Sequence, residues 1–219
     1  MKKFLFLDCD STLCAIEGVD ELAAMRGAET EAKVIDLTND AMDGRVPIEE
    51  VFGCRLSLIS PTRQMCEQVA QKYIETLSPG VEDALQELSH HGWTPVIISG
   101  GFTPVIEPLA TKVGIGEVHA VGLRFDEHGD YIGFDEEAPT ARNGGKPQII
   151  AQLKKDYPGC ATVMVGDGVS DLETQPTVDL FIGYGGVVAR EKVKEGARHF
   201  IHSFTELPKT VLEQLKCNH

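Results

Sequence analysis

The sequence predicts an α/β protein: a doubly wound, mostly parallel sheet with an inserted helical bundle and a small β-hairpin. Three observations carry that prediction. Short, continuous apolar runs end in acidic or small residues, as do parallel strands covered on both faces. Helical segments alternate with those runs. One long stretch, about residues 15–76, has helical signals and no convincing strand.

The elements follow in order. Phe4-Leu5-Phe6-Leu7 runs into Asp8 and reads as the first strand. Residues 15–76 read as a helical cap standing over the rim of the sheet, which leaves 1–14 and 77–219 as the core. Ser78-Pro79 opens the next helix, with Ser78 as N-cap and Pro79 at the first helical position; Ala84, Leu85 and Leu88 recur at helical spacing, and Gly92 closes it. Pro95-Val96-Ile97-Ile98 is a second strand, ending at Ser99-Gly100-Gly101. Over about 117–135, Val118, Ala120, Gly122 and Phe125 lead through Glu127-His128-Gly129 to Tyr131, Ile132 and Phe134, the pattern of a β-hairpin. Lys146-Pro147 opens a helix with Ile149, Ile150 and Leu153 on one face. Thr162-Val163-Met164-Val165 is a strand ending at Gly166-Asp167-Gly168. Leu180–Ile182 and His199–Ile201 are further strands, each followed by a helix, over 187–195 and 205–216. Right-handed crossovers place the C-terminal ends of all these strands on one rim, where ligands of such sheets bind.

Composition narrows the function. The 219 residues suit one domain, or one domain carrying an insert, and 42% apolar with 25% charged residues is ordinary for a globular chain. A net charge of −14 repels phosphate backbones, so nucleic-acid binding is not expected. An anionic substrate would need positive charge imported into its site. Six cysteines, at 9, 14, 54, 66, 160 and 217, form no C-x-x-C and no zinc-finger pairing with histidine, and are expected as reduced thiols. The opening Met-Lys-Lys-Phe-Leu-Phe-Leu-Asp is a strand rather than a secretory signal. No apolar run has the length of a membrane span. The expectation is a cytoplasmic monomer or homodimer with no membrane partner.

Three strand ends and one helix start carry chemistry: Asp8-Cys9-Asp10-Ser11-Thr12, Ser99-Gly100-Gly101, Gly166-Asp167-Gly168-Val169-Ser170-Asp171, and Lys146. The fold brings all four to one place. Four neighbouring carboxylates cannot all stay ionised without a cation. Oxygen ligands with no accompanying His or Cys set favour magnesium. One carboxylate can serve as nucleophile, and its neighbour two residues on can pass a proton. A lysine, a serine hydroxyl and glycine amides supply donors for three phosphoryl oxygens. These are the parts of phosphoryl transfer through an aspartyl-phosphate.

D-x-D-S-T, S-G-G-F, a helix-opening lysine and G-D-G-x-x-D, in this order, resemble the four motifs of the haloacid dehalogenase-like phosphatases, over nearly the whole chain. The segments D-S-T-L-C-A-I-E-G-V-D-E-L-A, A-M-D-G-R-V-P, R-L-S-L-I and F-I-G-Y-G-G-V are similar to those of the phosphoserine phosphatase family within it. The resemblance implies a Rossmann-like core and a magnesium-dependent hydrolase that releases serine and phosphate from O-phosphoserine, the last step of serine synthesis. It implies that Glu17 faces the substrate amino group and Arg55 its carboxylate, for which a guanidinium is the planar match. Where the family usually has phenylalanine, seven residues before that arginine, this chain has Ile48.

Chemistry and resemblance together assign Asp8 as nucleophile and Asp10 as acid and base. Magnesium is expected on the Asp8 carboxylate, the Asp10 backbone carbonyl and Asp167, with Asp171 behind them orienting metal waters or Lys146. Ser99, Gly100, Gly101 and Lys146 are expected to hold the phosphoryl group, and Ser170 with the Met42–Gly44 turn to line the pocket. Five carboxylates (Asp8, Asp10, Asp167, Asp171 and Glu17) then face two cations, Lys146 and Arg55. A divalent ion and a proton on Asp10 would close the balance.

Two other readings share parts of this pattern. One is the same mechanism on another small phosphoester, or with transfer to an alcohol. The other is a receiver-like phosphoacceptor domain, against which stand the helical insert and the second carboxylate, Asp10. His199 and His202, three apart on a strand, point to opposite faces and suit no shared metal. Cys9 has no histidine base near it in sequence and is expected to pack inward.

Overall fold

The computed structural model describes residues 1–42, 46 and 48–215, without the side chains of 39–42 and 48. Gly44 and the side chains of Met42 and Ile48 therefore lie outside the described residues, as does Cys217.

Among the described residues eight strands form: β1 (Lys3–Leu7), β2 (Trp93–Phe102), β3 (Val118–Val121), β4 (Leu123–Phe125), β5 (Tyr131–Phe134), β6 (Ala161–Gly166), β7 (Leu180–Tyr184) and β8 (His199–Ile201). Six make one sheet in the order β3-β2-β1-β6-β7-β8, every neighbouring pair parallel. Leu7 at the end of β1 sits beside Ile97 on one side and Val165 on the other. The chain builds outward from β1 through β2 to β3, then crosses back to β6 and builds the other way. Between β1 and β6 the winding reverses, and such a reversal opens a crevice beyond the strand ends.

The alternation of side chains through the sheet produces two apolar layers. Phe4, Phe6, Val96, Ile98, Met164 and Phe181 pack against Ile149, Ile150 and Leu153 of α7 (Gly145–Asp156) and Val193 of α9 (Glu191–Gly196). Leu5, Leu7, Ile97, Val163, Val165 and Ile182 face the opposite layer. There they meet α5 (Val81–His90), α6 (Thr103–Lys112) and α10 (Leu207–Gln214). That second core continues into Leu22 of α1 (Gly18–Ala24), Val34 of α2 (Ala28–Met42), Phe52 and Leu56 of α3 (Ile48–Ile59), and Val69 and Tyr73 of α4 (Arg63–Glu75). A short helix, α8 (Val169–Leu172), completes the set.

The described part of 18–75 is helical. It joins the sheet through two adjacent strands of chain: Cys14 and Leu77 form an isolated antiparallel bridge, Ala15 N–H donates to Thr76 O at 2.9 Å, and Ser78 N–H to Leu13 O at 2.9 Å.

Four local expectations change. Residues 118–121 do not belong to the hairpin: β3 runs parallel to β2 at the sheet edge, and only β4 and β5 form the antiparallel pair. Ser78 does not cap α5. Its hydroxyl donates to Thr12 O at 2.7 Å, and the helix starts instead after Gly80, whose φ of +83° suits glycine. Gly100 and Gly101 lie within β2, which runs to Phe102 with a register shift after Ile98. The helix expected over 187–195 begins only at Glu191.

Candidate active site

The first motif segment leaves β1 in a tight turn over Cys9–Leu13, with Ser11 at φ +52°. This turn bends Asp8 and Asp10 back over the strand ends. Asp8 is anchored by its backbone, whose N–H donates to Val165 O of β6 at 3.0 Å. Its Oδ1 accepts from the Cys9 N–H at 2.8 Å and lies 2.8 Å from Lys146 Nζ. Lys146 enters from the start of α7 and also reaches Asp171 Oδ1 at 2.6 Å. Asp171 Oδ2 accepts from the Gly168 N–H at 2.9 Å, which ties α8 to the end of β6. A side chain at Gly166 would collide with Asp171, so glycine is what lets that carboxylate sit under the strand.

Asp167 is held from two sides. Thr12 donates to Oδ1 at 3.0 Å and Arg190 Nε to Oδ2 at 2.9 Å. The same guanidinium stands 3.6 Å from Glu17 Oε1, which accepts from Ser11 Oγ at 2.6 Å. Asp10 accepts on Oδ1 from the Gly18 N–H at 2.8 Å and from the Tyr73 hydroxyl. Ser99 Oγ donates to Asp10 Oδ2 at 3.3 Å and accepts from the Gly101 N–H at 3.0 Å.

The electrostatics follow from burial of like charges. Burial, together with the neighbouring Asp8, pushes the Asp10 carboxyl up to about 6. Burial and then Asp10 push Glu17 up to about 7. Asp167 is raised by burial and by Asp8. Burial disfavours the charged form of Lys146, but Asp171 and Asp8 outweigh it and hold the ammonium protonated. Burial raises the Cys9 thiol well above its ordinary value, so this cysteine is an inert packing group, and its N–H alone takes part in the site.

Asp8, Asp167 and Asp171 each offer a carboxylate oxygen, and the three oxygens lie within 4.8 Å of one another. All three residues are buried, and the donor set is oxygen throughout. A hard divalent cation fits that chemistry. Beside this cluster opens a cavity of about 180 Å³ whose lining includes Lys146, Gly100, Ser170, Phe52, Thr140 and Arg55. Arg55 donates to Thr38 Oγ1 at 3.2 Å and lies over the Phe52 ring, while its Nε is buried with no partner among the described residues.

The structure thus gathers Asp8, Asp10, Glu17, Ser99, Gly101, Lys146, Asp167 and Asp171 on one rim, with Gly100, Ser170 and Arg55 on the adjoining cavity. Four participants carry no role in the sequence reading, Ser11 being the donor to Glu17 already described. Thr12 is the last residue of D-x-D-S-T, and its place in that motif is the signal that marks it. Arg190, in the segment after β7, is a third cation among the five carboxylates and eases the balance left by Lys146 and Arg55 alone. Tyr73 carries no motif.

The family model described as haloacid dehalogenase-like hydrolase matches residues 5–174. A phosphoserine phosphatase of Bos taurus is 40% identical over 202 residues, covering 91% of this chain and 89% of its own. A solved phospho-aspartyl intermediate analogue of phosphoserine phosphatase superposes with a TM-score of 0.80 at 28% identity, covering 95% of this chain and 98% of its own. A substrate-bound phosphoserine phosphatase complex superposes with a TM-score of 0.79 at 27% identity, over 96% and 98% of the two chains.

Proposed function

Because the chain belongs to the phosphoserine phosphatase family of haloacid dehalogenase-like hydrolases, we propose that it hydrolyses O-phosphoserine to serine and phosphate, as the closing step of serine synthesis. The observation that carries the reading is Asp8: a buried carboxylate with Lys146 at 2.8 Å, two further buried aspartates beside it, and a second carboxyl, Asp10, two residues away.

Asp8 attacks phosphorus. Lys146 and the Cys9 N–H both contact Oδ1 and fix the orientation of the carboxylate. Ser99, the amides of Gly100 and Gly101, and Lys146 take the phosphoryl oxygens. Asp10, whose carboxyl is raised to about 6, hands its proton to the departing serine oxygen and then removes one from the attacking water. Arg55 receives the substrate carboxylate, and its unpartnered Nε supports that role. Glu17 receives the amino group. Ser170 lines the pocket, and we assign Met42 and Gly44 to the same lining by the sequence alone.

The family's metal dependence is matched by the all-oxygen cluster, and we assign the ion as Mg2+, held by Asp8, the Asp10 carbonyl and Asp167 with Asp171 behind. When bound, it supplies positive charge to a cleft that would otherwise repel a phosphate dianion. Residues 15–76 act as the cap and 1–14 with 77–219 as the catalytic core, the cap opening to admit substrate and release products. Among the described residues no helix is long and apolar enough to cross a membrane, and we place the enzyme in the cytoplasm. The test is a panel of O-phospho-L-serine, sugar phosphates and alcohol phosphates, scoring free phosphate against phosphorylated acceptor. Preference for a phosphoester lacking the amino-acid group, or phosphate appearing on an alcohol, would overturn the assignment.

A further inference from the structure

Tyr73 lies on α4, in the inserted helices, and is fully buried. Its hydroxyl donates to Asp10 Oδ1, the oxygen that also accepts from the Gly18 N–H at 2.8 Å. Asp10 Oδ2 faces elsewhere: Ser99 Oγ is 3.3 Å away, and a side chain at Gly101 would stand 2.6 Å from it. The two oxygens of one carboxyl therefore have separate surroundings. Oδ1 is engaged by the insert, and Oδ2 is turned toward the groups that cradle the phosphoryl. Gly18 makes this possible twice. Its N–H binds Oδ1, and any Cβ there would collide with the Tyr73 hydroxyl. Burial, and next the charge of Asp10, raise the Tyr73 phenol well above its ordinary value, so it remains a donor.

We propose that Tyr73 is a positioning residue for the proton transfers of the hydrolysis, occupying Asp10 Oδ1 so that Oδ2 alone carries the mobile proton. An oxygen that already receives two donor hydrogens has no lone-pair direction left for a proton of its own. In the first half-reaction the Asp8 oxygen–phosphorus bond forms, the serine oxygen–phosphorus bond breaks, and the Oδ2 proton passes to the serine oxygen. In the second, water oxygen bonds to phosphorus, its proton passes to Oδ2, and the Asp8 oxygen–phosphorus bond breaks. Tyr73 keeps its proton throughout.

The proposal rests on the hydrolytic reading above, and the experiment separates the two. Full-length wild type and Tyr73→Phe are mixed rapidly with O-phospho-L-serine or p-nitrophenyl phosphate. Nitrophenolate leaves without a proton, so its burst reports attack by Asp8 without help from Asp10. Loss of one hydrogen bond to a charged group predicts about a 10–100-fold slower first half-reaction with phosphoserine. The nitrophenolate burst rate and the phosphoserine KM are expected to stay within about threefold. In an Asp10→Asn background, Tyr73→Phe is expected to add no further loss, because it acts through Asp10. Equal losses on both substrates, or an additive loss in that background, overturn the proposal. If Tyr73→Phe loses its thermal transition, Gly18→Ala, which drives the hydroxyl off Oδ1, must give the same substrate-selective loss or the proposal fails. A wild type inert to phosphoserine overturns the substrate reading instead, and the contrast is then read with an alkyl phosphate it does turn over.

Discussion

Lys146 and Asp171 form an ion pair of 2.6 Å in which the carboxylate is wholly buried and the lysine nearly so. A buried pair of this kind is a poor source of net stability, yet breaking it strands a charge. Lys146→Ala is expected to lose about 2–4 kcal/mol of transition-state stabilisation, by analogy with removing one oxyanion donor. The same variant should unfold at lower temperature, because Asp8 and Asp171 are left facing each other. Steady-state kinetics and calorimetry measure the two effects; a rate within about twofold of wild type would remove Lys146 from the phosphoryl site.

Asp8→Asn should abolish turnover while leaving the fold intact, since the amide can keep the Cys9 contact. Acid-quenched wild-type protein, mixed rapidly with radiolabelled substrate, should carry an acyl-phosphate that the variant lacks.

Chelation should stop the reaction, and magnesium should restore it. The pH dependence has a definite sign. Asp10, Glu17 and Asp167 have raised carboxyls in the metal-free fold. A raised acid binds its proton more tightly folded than unfolded, so its stabilisation is complete below the unfolded value and is lost as pH climbs through the folded one. Metal-free protein should therefore lose stability between about pH 4 and about pH 7 through these groups. Metal needs the ionised forms, so the gain in melting temperature from magnesium should grow with pH; a gain that shrinks would contradict the cluster as its site.

Glu17, raised to about 7 in the metal-free fold by burial and Asp10, should make phosphoserine binding pH-dependent, with a midpoint that the bound cation lowers. Below that value the carboxyl is neutral and cannot pair with an ammonium group. KM for phosphoserine should rise by about tenfold per unit on the acid side. A phosphoester without an amine should not show this rise, and Glu17→Gln should remove it.

Arg55→Ala should raise KM for phosphoserine by about 10–100-fold, the loss of a charged hydrogen-bonded pair, with a much smaller effect on an aryl phosphate. Equal losses would exclude the carboxylate role.

The parts of this molecule that could be read from its residues are those whose causes are local. Phe4–Leu7 and Thr162–Val165 announce themselves as buried parallel strands, and the motif residues sit at their ends because the chain must turn there. Ser78 misleads because its hydroxyl is taken by Thr12, 66 positions away in the chain. Val118–Val121 alternates like a hairpin strand but finds its partner in β2, a choice made by the sheet edge rather than by the next turn. Arg190 becomes part of the site only because the segment after β7 passes beside the end of β6. Tyr73 is one more apolar position on an amphipathic helix until packing of α4 sets its hydroxyl against Asp10. Contacts made by tertiary assembly leave no spacing behind in the sequence.

Cys14 and Leu77 stand side by side, so the polypeptide departs from the sheet and rejoins it through a single narrow neck. The helices between those two points nonetheless share the apolar layer of the sheet, through Leu22, Phe52, Val69 and Tyr73. Evolution could swap what hangs from that neck only if the replacement still handed Asp10 its two donors, which Gly18 and Tyr73 now provide.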